Sequence, residues 1–227
     1  MKRVISHMPV WIKICCIAFL GIALSAVFAN VLAPYDPDAT ELLARSTPPV
    51  FMGGTMEHIL GTDELGRDIL SRIFYGTRVS LGMAMVGILF GGTIGVLLGL
   101  SAGYVGGLWD RFVMAMIDFQ QSVPFTLVIL LGVVVFGRSI PVLMCFIGMA
   151  KWEYYAKFVR SLVLGLKEKQ FIEAAKTYRA SALRIVFKYI FPNVLPSLIV
   201  SVALSFPSVL MLESSLSFVG IGVMPPT

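Results

Sequence analysis

The chain has 227 residues, of which 57% are hydrophobic and only 14% charged, against roughly 25% charged in ordinary soluble domains. A water-soluble core of this length has no use for so much apolar surface, whereas a bilayer does, which argues against a soluble enzyme. The net charge of +5, from 18 Lys and Arg against 13 Asp and Glu, reads as the cytoplasmic basic excess of a membrane protein and not as an affinity for nucleic acid.

A hydrocarbon core of about 30 Å takes about 20 apolar residues in a helix. Five stretches meet that length, at about 12–33, 79–104, 112–136, 139–156 and 194–219. The first follows Lys2 and Arg3 and ends in "AVFAN", so a secretory signal cleaved after Ala29 competes with a retained anchor. The length of the run and the spans that follow favour the anchor. Residues 1–33 then form a cytoplasmic tail and first transmembrane helix.

Residues 34–78 carry seven acids and four bases, which places them outside the cell, whereas Lys157 to Lys188 carries eight bases and two acids and belongs inside. Span counting gives the same orientation, with the N-terminus in the cytoplasm. In the outer segment, "GTDELGRD" lacks the spacing of a calcium loop. Asp68 is instead expected to cap an interfacial helix, Ile69 to Tyr75.

In the second span Gly87, Gly91, Gly95, Gly99, Gly103 and Gly107 recur every four residues. On a helix this is a strip without side chains, where another backbone can come close. Two acids, Asp118 and Glu213, fall in the third and fifth spans, where a carboxylate costs on the order of 2.5–3.5 kcal/mol unless it faces protein or a wet cavity. They are candidates for a translocation path or, as the favoured reading, for a polar network with helix ends or a partner subunit. Cys15, Cys16 and Cys145 lie in apolar runs and give neither a disulfide framework nor a zinc spacing. His7 and His58 lie outside the spans, so no metal site is expected.

Between Lys167 and Phe191 the pattern changes to two short amphipathic helices. Phe171, Ala175 and Tyr178 mark one apolar face, and Leu183, Val186, Phe187 and Ile190 mark the next, with Ser181 as N-cap between them. Alone, this pattern fits either an anionic lipid surface or a partner protein. The small residues of "EAA" beside one acid favour a partner groove closing around the helix.

"EAAKTYRASALRIVFKYIFPNVLP" resembles the cytoplasmic EAA loop of binding-protein-dependent ABC importer permeases. Together with "LGTDELGRDILSRIFYGTRVSL", "AGYVGGLWDRFVM" and "SLSFVGIGVMPPT", it is similar to the shorter permease subunit of the dipeptide, oligopeptide and nickel importers. The resemblance implies an all-α polytopic helical bundle of the type I importer permease fold, with residues 79–227 as the core permease domain and 157–193 as its coupling loop. It implies partners as well: cytoplasmic ABC ATPase subunits, a second homologous permease, a periplasmic substrate-binding protein and the surrounding lipid of the bacterial inner membrane. Glu173, Ala174, Ala175, Tyr178 and Arg179 are then the coupling residues. ATP and Mg would be bound by the ATPase, since this chain carries no Walker sequence.

Three departures stand out. Arg179 occupies a position that is usually Gly, six residues after the Glu, where a left-handed turn would cost a non-Gly residue about 1–2 kcal/mol. Tyr189 replaces the usual His. Relatives continue past "PPT" into a sixth span, so the expectation is a shortened chain whose C-terminus lies outside. The function that follows is ATP-driven import of short peptides, with nickel or a metal chelate as the alternative. A non-coupled channel or a scaffold is the reading from another class. No HExxH, GxSxG or Ser/His pair within the spans supports an intramembrane hydrolase.

Overall fold

The computed structural model describes residues 9–220 and 222. Among them the chain is helical with no strand, apart from an isolated bridge between Thr62 and Asp68. The longer helices are α1 (Val10–Val27), α2 (Ile69–Val105), α3 (Gly107–Ser122), α4 (Phe125–Phe136), α5 (Ile140–Met149), α6 (Trp152–Lys167), α7 (Gln170–Thr177) and α8 (Ala182–Phe218). Three of them, α1, α2 and α8, are long and apolar enough to cross a membrane, and the bent pair α3–α4 makes a fourth if it forms one span. The protein is a multi-pass membrane bundle. Its chain divides into two compact units, one ending at Gly82 and the other beginning at Met83.

In the first unit α1 is apolar on every side and almost fully exposed, with Ala26 buried, a surface suited to hydrocarbon. The segment after it folds around the "LGTDELGRD" stretch. Asp63 Oδ1 accepts from the backbone N–H of Leu65 at 2.9 Å and of Arg67 at 3.0 Å, and Oδ2 accepts from Arg67 Nε at 2.8 Å and from the Arg72 guanidinium. Burial alone would raise the Asp63 pKa, but the Arg67 and Leu65 N–H groups and the Arg67 guanidinium outweigh it and hold the carboxyl at about 2. Asp68 Oδ2 accepts from Ser71 N–H at 2.7 Å and its Oδ1 meets His58 Nδ1 at 3.1 Å, both side chains being buried. Asp68 therefore caps a helix as its spacing implies. That helix does not stop at Tyr75: nothing breaks it, and the expected interfacial segment is the first two turns of α2. At 37 residues α2 is about 55 Å long, well beyond the hydrocarbon thickness.

In the second unit the glycine strip of α2 is the seam of the bundle. A Cβ at Gly91 would stand 2.2 Å from the Gly148 carbonyl oxygen, at Gly95 2.3 Å from that of Trp152, and at Gly99 2.5 Å from that of Ala156. Gly87 faces Ile147 and Gly103 faces Val163. The partner number rises in step with the glycine number, so α2 runs parallel to α5–α6 with their backbones in contact. Gly107 lies outside this strip. With φ values of +71° and +63°, Gly106 and Gly107 turn the chain from α2 into α3, a conformation that only glycine adopts freely. Gly95→Ala is expected to destabilise the bundle by about 1–3 kcal/mol, since the helices must separate to admit one methyl group. Gly165→Ala, with nothing within 4 Å of its Cβ, should be neutral or gain up to about 1 kcal/mol. Thermal unfolding in detergent checks the contrast, and equal melting of Gly95→Ala and wild type would sink the close-contact seam.

Two expected spans are broken. The stretch 112–136 bends by 82° between α3 and α4, because Pro124 holds Val123 in an extended conformation (φ −113°, ψ 131°). The stretch 139–156 is two helices, α5 of 10 residues and α6 of 16. There Gln120 Nε2 donates to the Met149 carbonyl at 2.9 Å, taking the acceptor that a continuous helix would use for residue 153. The last span begins early: α8 starts at Ala182 and includes a π-helical turn, Ile185–Ile190. This widened turn directly precedes Pro192, whose ring cannot pack against the carbonyl four residues back.

Candidate functional site

The segment from α6 to α8 is built on one buried row. Ile172 and Ala175 of α7 and Ile185 and Ile190 of α8 are buried in a cluster with Val159 and Val163 of α6. The α8 pair is spaced by five residues, not by three or four, because the π-turn rotates side chains more slowly than an α-helix. That shift turns Leu183 (71% exposed) and Phe187 (54%) outward. On α7, Tyr178 is 87% exposed and Phe171 43%. The faces expected from a uniform 3.6-residue period are therefore corrected: Ala175 and Ile190 point inward, and Phe171, Tyr178, Leu183 and Phe187 point outward. Of the expected coupling residues, Glu173, Ala174, Tyr178 and Arg179 are exposed and Ala175, at 7%, is not.

The turn between α7 and α8 has defined geometry. Arg179 N–H donates to the Lys176 carbonyl at 2.9 Å and Ala180 N–H to the Ala175 carbonyl at 3.1 Å, the paired bonds of a Schellman cap. Arg179 is left-handed, with φ +55°, at the position where that cap favours glycine. Ser181 Oγ then accepts from Arg184 N–H at 3.4 Å and caps α8. Arg179→Gly is expected to stabilise the chain by about 0.5–1 kcal/mol, the relief of left-handed strain being partly offset by glycine's larger unfolded-state freedom. A lower melting temperature for the variant would mean that the Arg179 side chain contributes more than the turn costs.

Beneath the loop, two contacts tie α6 to its neighbours. The Arg160 guanidinium donates to both oxygens of Asp110 at the start of α3, with Nη2 to Oδ2 at 2.7 Å. Lys167 Nζ donates to the Tyr104 carbonyl near the end of α2 at 2.7 Å. Asp110 is part of the quoted "GYVGGLWDR", but spacing alone gave no partner for it; Arg160 is 50 residues away.

Of the two acids singled out within spans, Glu213 is buried, and Ser217 Oγ one turn on donates to its Oε1 at 3.0 Å. Asp118 is exposed on α3 and has no polar partner among the described residues. The structure does not bring these two acids into one site. It shows instead a polar group that the sequence reading passed over, although its charges lie inside the run 139–156. Lys151 Nζ donates to Ser208 Oγ at 3.1 Å, and Gln121 Nε2 donates to Glu153 Oε2 at 2.5 Å. Trp152 Nε1 donates to Gln120 Oε1 at 2.7 Å.

Comparison with known proteins identifies relatives of the chain. The family model for the binding-protein-dependent transport system inner membrane component matches residues 95–227. The chain is 34% identical over 212 residues to the dipeptide transport system permease protein DppC of Haemophilus influenzae, covering 93% of this chain and 72% of that protein. It is 34% identical over 216 residues to the nickel transport system permease protein NikC of Escherichia coli (95% and 76%). It is likewise 34% identical over 205 residues to the oligopeptide transport system permease protein OppC of Bacillus subtilis (90% and 66%).

Proposed function

The chain belongs to the family of binding-protein-dependent transport system inner membrane components and is thus an ABC transporter permease, and we propose that it moves short peptides into the cell. The observation that carries the coupling part of this reading is the exposed surface on α7 and α8. Apolar Phe171, Tyr178, Leu183 and Phe187 stand outward beside Glu173, on helices fixed by a capped turn and a buried row. Exposed aromatic and aliphatic side chains on a rigid support are what a partner groove needs. In this reading the N-terminus and the α7–α8 loop are cytoplasmic. The loop docks on an ATPase that binds ATP and Mg, a second permease completes the membrane path, and an external binding protein delivers the substrate.

A peptide is favoured over a metal ion because His58 is engaged: it is buried, bonded to Asp68 and in contact with the Tyr35 ring at 4.8 Å. The similarity to NikC keeps nickel as the second reading. Co-purification with the cognate ABC ATPase tests the coupling assignment. Wild type should bring the ATPase down in detergent and Glu173→Arg should not. Equal recovery from both would overturn the docking site.

A further inference from the structure

Lys151 and Glu153 open α6 beside the middle of the apolar runs of α2 and α8. The apolar run 79–104 of α2 is centred at Gly91 and Gly92, and a Cβ on Gly91 would stand 3.3 Å from the Trp152 backbone nitrogen. The run 194–219 of α8 is centred at Phe206 and Pro207, and Ser208 is the partner of Lys151. Gln121, just before the bend at Pro124, is the partner of Glu153. The middles of two apolar runs thus meet at the start of α6.

Charges at this depth pair with each other, face water or mark a substrate route. Among the described residues neither Lys151 nor Glu153 belongs to an ion pair, and each is bonded to a neutral group. An ammonium has three donors and a carboxylate about four acceptor positions, so both keep capacity to spare. Both are also partly exposed. Between them Trp152 turns inward and is buried, which leaves Lys151 against α8 and Glu153 against α3. Asp118, one turn before Gln121 on α3, adds a second exposed acid on that side. The result is a dipole across the start of α6, positive toward α8 and negative toward α3, where two helices are interrupted. Interrupted helices at mid-depth are where transporters place substrate sites.

We propose that Lys151 and Glu153 form a transient station on the permeation route, taking the terminal carboxylate and the terminal ammonium of a free peptide. The station rests on the peptide reading above and narrows it to zwitterionic ligands, because a bare divalent cation would meet the like charge of Lys151.

Uptake of radiolabelled L-alanyl-L-alanine by cells carrying the whole transporter tests the station. The same cells are given its N-acetyl and its C-terminal amide derivatives. Lys151→Met should lower dialanine uptake at limiting concentration at least about tenfold, the scale of one lost charge-assisted hydrogen bond. It should also abolish the preference for dialanine over the amide. Glu153→Gln should do the same toward the N-acetyl form. Lys151→Arg should keep wild-type uptake, and Lys151→Gln, which retains a donor for Ser208, decides the matter if the Met variant fails to fold. The external binding protein is common to all strains, so changes in preference report on the membrane path. Uptake by both neutral variants within twofold of wild type, with preferences intact, would overturn the station and leave the peptide reading standing. Loss of the second permease from the purified complex would also overturn it, as the charges would then be subunit contacts. Wild-type uptake of nickel ion with none of dialanine would remove the peptide reading itself, and the station with it, before any variant is made.

Discussion

Leu183→Asp should weaken ATPase recruitment at least about thirtyfold while leaving the membrane bundle folded. Leu183 is 71% exposed, so its loss opens no cavity and buries no charge. It lies in the first turn of α8, two residues after the Ser181 cap, where an acid interacts favourably with the helix dipole by about 0.3–1 kcal/mol. Folding therefore gains slightly or stays level. Docking is different, because a carboxylate placed at the centre of an apolar contact must be desolvated without a partner. Central contact residues typically account for 2 kcal/mol or more, and a factor of about 30 in affinity corresponds to roughly that energy. The outcome to look for is an unchanged melting temperature together with at least about a thirtyfold weaker association with the ATPase. Phe187→Asp, on the same outward row, should behave alike, whereas Ile185→Asp, at a position only 1% exposed, should unfold the loop. If Leu183→Asp binds the ATPase like wild type, the surface is turned toward lipid instead.

The division between what the sequence disclosed and what it hid follows physical lines. The membrane class, the glycine strip and the Asp68 and Ser181 caps were legible because each depends on local spacing or on composition. The strip needs only a four-residue repeat, and a cap needs only one side chain and the next turn. The outward faces of α7 and α8 were half legible. A fixed period assigned Ile190 and Leu183 to one face, and the π-turn before Pro192 separates them. The helix break at Met149 was hidden because its cause, Gln120, comes from another helix. Lys151 and Glu153 were overlooked for a related reason. They lie inside the apolar run 139–156, and only the fold sets them beside Gly91 of α2 and Ser208 of α8. The Arg179 turn went the other way: its left-handed conformation was a conditional expectation, and φ +55° meets the condition.

Asp110→Asn is expected to leave ATPase docking intact while destabilising the chain and lowering transport. The Arg160–Asp110 pair is two-pronged and its side chains are only 25% and 17% exposed, so it is better shielded than an ordinary surface ion pair. It closes a loop through space: α3 begins just after the Gly106–Gly107 turn, and Arg160 lies on the helix that leads into α7. Bonds to charged groups contribute about 1.5–3 kcal/mol each when lost singly. An Asn keeps the shape but removes the charge, so a loss of about 2 kcal/mol is expected, which for a chain of this size lowers the melting temperature by about 4–8 °C. A double-mutant cycle with Arg160→Gln isolates the pair, and the second substitution should then cost little in the absence of the first. The surface on α7 and α8 does not include Asp110, so co-purified ATPase should stay at the wild-type level. If, as proposed, the loop is displaced by an ATPase, the motion would reach α3 through Arg160, and substrate uptake per ATP hydrolysed should fall when the link is cut. A cycle with no coupling energy would show that the two side chains meet without holding the helices together, and the force would have to pass through the glycine seam alone.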